Sequence, residues 1–310
     1  MVQTPVLFET FVRVEYARQV FEAIKKAKPR VLYFYSNKGR IDHEGEIEKN
    51  NEIRSWTKEI DWDCELHTWF REECVDVYTS LRGAISWLFE NETSGIILED
   101  DTVPTPAFFS FCDQIIERYK DEKKVWCISG DNYVPECTFD ADFSFSHYHS
   151  MYGWATWKDR WDSIPWAKIP VEELLDLGKL SIFYKSKKEA RDRIASLKKN
   201  VGYINDKMCW DYAFGATIDL HSGVTVIPKE HLVTNVGLQG MHSRLASKAF
   251  FHIDAKPSGD YYEIKRYPTS IEANFDYDHA FFAKSYKYSK LYKRVYRRLI
   301  ALLSGIIHKG

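Results

Sequence analysis

The sequence predicts an α/β protein whose central sheet is mostly parallel and flanked by helices. Three observations carry that prediction. A strand–helix–strand unit fills the first 35 residues or so. Short β-branched and aromatic runs alternate with stretches of helical spacing. One apolar run, Gly95-Ile96-Ile97-Leu98, ends in three consecutive carboxylates, Glu99-Asp100-Asp101, as expected at the carboxyl edge of such a sheet, where ligands bind.

In chain order, Pro5 to Phe11 is rich in β-branched and aromatic residues and reads as a strand. Val14 to Ala27 places Val20, Phe21 and Ile24 on one helical face and ends in basic residues before Pro29. Val31 to Tyr35 is a second strand, 44–59 a helix, and Cys64 to Phe70 a third strand. Asp76 to Asn91 is an amphipathic helix leading into the acid-tipped strand. The Thr102-Val103-Pro104 segment follows, and its proline cannot continue a ladder. A helix over roughly 106–120 precedes the buried strand Val125 to Ser129. Residues 130–170, rich in aromatics, Gly and Pro, read as a binding subregion of irregular backbone. A charged helix near 184–199 and a late strand at Val224 to Ile227 complete the pattern.

The chain has 310 residues, 45% hydrophobic and 15% aromatic, ample for one large core. Six scattered cysteines without CxxC spacing read as reduced residues of a cytosolic protein, not as a disulfide frame or a zinc site. No signal peptide or bilayer-spanning run is evident. The net charge of −2 hides an asymmetry. From residue 284 onward there are eight Lys/Arg and no acid, leaving 35 basic against 45 acidic residues in the body. The expected organisation is therefore an acidic globular domain over 1–283 and a basic tail over 284–310.

Three adjacent carboxylates repel one another unless a cation joins them. A divalent metal carrying a diphosphate is one solution, and a solvated acidic turn is the alternative. There is no Gly-rich phosphate loop after the first strand and no Walker A motif. Any nucleotide diphosphate would need a metal and a few cationic side chains.

The stretch Pro5 to Arg40, the run Ile96 to Phe109, the block Met151-Tyr152-Gly153-Trp154-Ala155-Thr156-Trp157, Trp210-Asp211, Pro228-Lys229-Glu230-His231 and Asn235 to Ser243 together resemble GT-A (Rossmann-like) glycosyltransferases. The resemblance is to bacterial sugar transferases related to N-acetylglucosaminyltransferase I, and it covers residues 5–245 in order. It implies that the triplet is the DxD-type motif. Asp101 would be the Mn2+ or Mg2+ ligand, with Asp100 and Glu99 contacting the donor's sugar–ribose region or the metal's waters. Arg13 would touch the nucleotide, and Asn37 stands where the family usually places a base-reading Asp. Arg71 is a further candidate for the diphosphate or base pocket. Gly153 and Trp154 would wall the sugar, and His242 would reach the metal or diphosphate. Asp211, between Trp210 and Tyr212, is the candidate general base, with Asp206 the fallback and a helix N-cap the alternative role.

Residues 286–307, laid on a helix, put Tyr288, Leu291, Tyr292, Val295, Leu299, Leu302, Leu303 and Ile306 among others on one face and six Lys/Arg on the other. That pattern suits an anionic membrane surface, to which each basic residue adds about 1 kcal/mol. A helix packed on the domain is the alternative, and the long apolar face argues against nucleic acid.

The expected function is a metal-dependent, inverting hexosyl- or N-acetylhexosaminyltransferase at the cytoplasmic membrane face. It would act on a nucleotide-diphosphate sugar, UDP-linked by preference, and on a lipid-linked glycan acceptor. The rivals are a sugar-nucleotide pyrophosphorylase and a catalytically inactive glycan- or membrane-binding protein of the same fold.

Overall fold

β1 (Val6–Thr10), α1 (Val14–Ala27) and β2 (Val31–Ser36) form the expected unit, the two strands pairing in parallel from Val6↔Leu32 to Thr10↔Ser36. In α1 the buried Ala17, Val20, Phe21 and Ile24 follow helical spacing, and Lys28 closes the helix in the left-handed conformation (φ 51°) just before Pro29. This computed structural model describes residues 1–237 and 253–285.

The chain continues through α2 (Glu46–Ser55), β3 (Glu65–Phe70), α3 (Val77–Asn91), β4 (Ser94–Glu99), β5 (Thr102–Pro104), α4 (Pro106–Tyr119), β6 (Val125–Ser129) and β7 (Phe143–Ser146). There follow β8 (Trp154–Trp157), α5 (Lys158–Asp162), α6 (Leu177–Leu180), α7 (Lys187–Asn205), α8 (Trp210–Leu220), β9 (Val224–Pro228) and β10 (Val233–Asn235). Among the described residues, one eight-stranded sheet runs β3-β2-β1-β4-β8-β6-β9-β7. β8 lies antiparallel between β4 and β6, and β7 is antiparallel to β9. The other neighbours pair in parallel, so the sheet is mixed but mostly parallel, as expected.

Each face of the sheet buries its own core. On one side Val6, Phe8, Phe34, Ile96 and Leu98 pack with α1 and α4 residues such as Phe21, Phe108 and Ile115. On the other, Leu7, Tyr33, Tyr35 and Ile97 pack with Ala84, Ile85 and Leu88 of α3 and Ala213 and Phe214 of α8. The alternation along β1 and β4 assigns every second residue to each core. Glu9 and Glu99 therefore share the α3/α8 face.

Two expectations are corrected. The 130–170 stretch is not simply irregular: it supplies β7 and the central strand β8, whose ladder partners lie far away in sequence. Thr102-Val103-Pro104 does not extend β4, but it pairs antiparallel with β10 in a second, two-stranded sheet, Val233 opposite Pro104 and Asn235 opposite Thr102. Proline is tolerated there because Pro104 ends a short edge strand.

Residues 275–285 are helical, and Lys284 Nζ donates to the Tyr133 carbonyl at 2.7 Å. The amphipathic pattern expected at 286–307 lies outside the described residues, as does His242. No helix among the described residues is long and apolar enough to cross a membrane.

Candidate active site

The acidic triplet sits where β4 ends and the chain turns into β5. Thr102 Oγ1 donates to the Glu99 carbonyl at 3.0 Å, and the backbone N–H of Val236 donates to the Asp101 carbonyl at 2.8 Å. The first βα turn brings Arg13 over the same edge. Its Nη1 lies 2.6 Å from Asp101 Oδ2, and its Nη2 pairs with Asp100 Oδ1. One planar guanidinium thus forks across two neighbouring carboxylates. Burial opposes the Arg13 charge, but Asp100 and Asp101 more than offset this and hold it firmly protonated.

The register β1∥β4 sets Glu9 directly beside Glu99. Glu9 is buried, and among the described residues neither of its carboxyl oxygens has a hydrogen-bond partner; Asp100 Oδ2 is likewise buried and unpartnered there. Burial, followed by the charges of Glu99 and Asp100, pushes the Glu9 carboxyl well above the usual range. Burial also raises Glu99, reinforced by Asp101, and raises Asp100 against the pull of Arg13. Asp100, Asp101 and Glu99 therefore act on one arginine, with Glu9 behind them beside Glu99. Nothing in the Pro5 to Phe11 strand pattern singled out Glu9; the signal available was a carboxylate near the end of an apolar strand, the same one that picked out Glu99.

Asp211 occupies the first turn of α8, while Cys209 is the N-cap residue, so Asp211 is not the cap itself. Asp211 Oδ1 accepts from the Tyr212 N–H and the Cys209 thiol, both at 2.8 Å. The residue is open to solvent, yet the surrounding protein limits hydration of its carboxylate and raises its pKa. Its charge reaches Glu99, and Glu99, Asp131, Asp211 and Asp101 all act on the Tyr152 phenol. Tyr152 thus lies within electrostatic reach of all four carboxylates. Met208 (φ 48°), just before Cys209, holds the left-handed conformation that bulky residues rarely adopt. The resulting turn sets α7 beside α8, and the exposed Tyr203 and Tyr212 rings stack at 5.8 Å next to Asp211.

The remaining expected residues fall into two groups. Arg71 and Asn37 lie together at the ends of β3 and β2. The Arg71 guanidinium rests 4.4 Å from the Trp69 ring, donates from Nε to Tyr35 Oη at 2.5 Å, and has no carboxylate partner among the described residues. Asn37 is buried and pins the 75 loop, donating to the Val75 carbonyl at 2.9 Å and accepting from the Val75 and Lys38 N–H groups. That leaves one amide N–H for a base. Gly153 and Trp154 face inward instead of walling a sugar, which corrects the expectation. Trp154 is 1% exposed and stacks on Trp210 at 5.0 Å. Gly153 adopts φ 70°, and what approaches it is Val233: a β-carbon there would lie 2.8 Å from a Val233 methyl.

A second buried carboxylate follows β6. Asp131 accepts from Ser150 Oγ, and burial lifts its pKa to about 7. Next to it, Asn132 donates from its backbone to His231 Nδ1 at 2.9 Å and from Nδ2 to the Pro228 and Lys229 carbonyls. This knot fastens the loop carrying Tyr152 to the 228–232 segment. Ser129-Gly130-Asp131 carried the same sequence signal as the triplet, an acid just past a buried strand.

Among the described residues no group of three His, Cys, Asp or Glu side chains is arranged to hold a metal. The donor set nevertheless fits one. It consists of hard carboxylate oxygens, one of them buried and unpartnered on Asp100, which suits Mn2+ or Mg2+ and not a soft metal. Asp101 and Asp100 would hold the ion.

No protein-family model matches the chain, and no curated protein matches its sequence. Similar solved structures include glycosyltransferases and nucleotide-sugar enzymes. The mannosyltransferase PcManGT from Pyrobaculum calidifontis, in complex with GDP-Man and Mn2+, is 11% identical over 71% of this chain and 75% of that one, with a TM-score of 0.38. HddC from Yersinia pseudotuberculosis, complexed with GMP-PN, is 9% identical over 53% of this chain and 80% of its own, with a TM-score of 0.33. The glycosyltransferase GlyE of Streptococcus pneumoniae TIGR4 is 11% identical over 63% of this chain and 43% of its own, with a TM-score of 0.30. Likenesses this distant leave the functional reading to rest on the site itself.

Proposed function

We propose that the protein is a metal-dependent, inverting glycosyltransferase that moves a hexosyl or N-acetylhexosaminyl group from a nucleotide-diphosphate donor to a glycan hydroxyl. The observation that supports this reading is that the Asp211 charge reaches Glu99 at the β4 edge and that both act on the Tyr152 phenol. In this reading Asp211 serves the incoming hydroxyl while the triplet serves the departing diphosphate.

In the reaction, the acceptor oxygen attacks the anomeric carbon from the side opposite the diphosphate. The new glycosidic bond forms as the bond to the diphosphate oxygen breaks, and Asp211 takes the hydroxyl proton. Limited hydration raises the basicity of the Asp211 carboxylate, and the Cys209 and Tyr212 donors fix its orientation. The Tyr203–Tyr212 ledge offers an apolar face for the acceptor ring beside that base. A divalent ion held by Asp101 would supply Lewis-acid stabilisation of the charge gathering on the diphosphate. Arg13 and Arg71 bring positive charge to the donor side.

A pyrophosphorylase would need a phosphate-cradling loop after β1. Here β1 ends at Thr10 and α1 begins at Val14, leaving no room for one. The basic, amphipathic sequence of 286–307 supports a lipid-linked acceptor and a peripheral position on the cytoplasmic membrane face. The test is donor hydrolysis across UDP-, GDP-, CDP- and ADP-sugars, with and without Mn2+. The proposal expects turnover of one donor class that stops when EDTA removes the metal. Metal-independent turnover, or none with any donor, contradicts it.

A further inference from the structure

We infer that Arg13 is a tethered stand-in cation, which holds the two terminal carboxylates of the triplet until a nucleotide diphosphate draws it away and so couples donor binding to metal binding. This inference rests on the reading of Asp100 and Asp101 as the metal-holding pair, and it concerns the order in which that pair changes partners.

Arg13 lies in front of these carboxylates, with Nη1 on Asp101 Oδ2 and Nη2 on Asp100 Oδ1. Asp101 is closely packed by Gly237, where a β-carbon would fall 1.8 Å from Oδ2. The Val236 N–H also ties its backbone carbonyl. An ion taking the two oxygens that Arg13 holds displaces the guanidinium.

The surroundings keep the arrangement poised. Glu99, Asp100 and Asp101 act on Arg13, Glu9 lies beside Glu99, and among the described residues Asp100 Oδ2 with both Glu9 oxygens remains buried and unpartnered. The cluster accordingly has unused acceptor capacity that one guanidinium does not fill. Arg13 is about a third exposed (35%), with its charged end at the cleft, so it has an exit. A diphosphate is its natural alternative partner, since a guanidinium pairs as well with phosphate oxygens as with carboxylates. Each ligand then clears the way for the other. Any factor by which the nucleotide raises metal affinity must equal the factor by which the metal raises nucleotide affinity.

The test is a titration of Mn2+, read from the EPR signal of the free ion, on the wild type, Arg13→Gln and Arg13→Lys, with and without saturating UDP, GDP, CDP or ADP. We expect weak Mn2+ binding by the wild type alone and at least about tenfold tightening by one nucleotide, equivalent to about 1.4 kcal/mol. Arg13→Gln should bind Mn2+ about tenfold tighter without nucleotide, and the nucleotide effect should shrink by about the same factor, leaving the part that comes from direct chelation of the ion by the diphosphate, which a nucleotide–Mn2+ titration without protein measures. Should Arg13→Gln fail to fold, Arg13→Lys, which keeps the charge but cannot fork, shifts both quantities in the same direction by less.

Three results overturn the inference: unchanged Mn2+ affinity in the folded variants, tighter affinity with the nucleotide effect intact, or no nucleotide effect in the wild type. The metal-site reading is judged separately. It fails if Asp101→Asn in the Arg13→Gln background leaves Mn2+ binding unaltered, and it survives a failed coupling result if that substitution abolishes binding.

Discussion

Asp211→Asn lowers kcat for transfer by roughly 10²- to 10⁴-fold, the usual contribution of a positioned general base, while donor affinity stays near the wild-type value. The substitution is nearly isosteric. An asparagine Oδ1 can still accept from the Tyr212 N–H and the Cys209 thiol, so the first turn of α8 keeps its hydrogen bonds. What is lost is the ability to take a proton. The pH profile supplies an independent check. Reduced hydration raises the Asp211 pKa, so its active, ionised form is depleted as pH falls through that raised value. Wild-type activity should therefore fall on the acid side, and the residual Asp211→Asn activity should lack that limb. A variant retaining more than a tenth of wild-type kcat would place the base elsewhere, with Asp206 the next residue to substitute.

Asp101→Ala abolishes metal-dependent turnover, with a loss of at least about 10³-fold, of the size seen when a developing charge loses a dedicated stabiliser. The fold should survive. The Asp101 side chain is half-buried, its Oδ2 ion pair is with an arginine that keeps Asp100, and the Val236 hydrogen bond uses the backbone carbonyl. Thermal unfolding together with turnover separates the two effects. A folded Asp101→Ala protein that is still activated by Mn2+ would refute the assignment.

The parts of the fold legible in the sequence were those that local pattern encodes. β1, α1 and β2 follow from alternating apolar residues, helical spacing and Pro29, and β4 announces itself by its apolar run and acidic end. β8 was not legible. Trp154 to Trp157 lies in an aromatic, Gly-rich stretch and becomes a strand only because β4 and β6 offer ladders from residues 94–97 and 128–129. The same long-range pairing buries Gly153 and Trp154, which by sequence looked available to a sugar. β5 was hidden for a similar reason, since its partner β10 lies about 130 residues away.

The site divides along the same line. Residue type and a strand end pointed to Glu99, Asp100 and Asp101, while Arg13 and Asp211 were singled out with the resemblance to GT-A glycosyltransferases. Glu9 needed the β1–β4 register to appear as a neighbour of Glu99. Arg13 was expected on a nucleotide, and the structure pairs it with Asp100 and Asp101. Asn37 carries the right chemistry for a base, but its amide also fastens the 75 loop, a duty no spacing rule reveals.

The central claim is that the β4 edge is a metal-assisted nucleotide-diphosphate site. Its most direct test is the thermal stability of the wild-type protein against UDP, GDP, CDP and ADP, each with and without Mn2+. A ligand at 100 times its dissociation constant adds about 2.7 kcal/mol of stability, a shift readily seen in melting. The account predicts a rise with one nucleotide that requires the metal and vanishes in Asp101→Ala. No shift with any of the four, or a shift indifferent to both Mn2+ and Asp101, would contradict it.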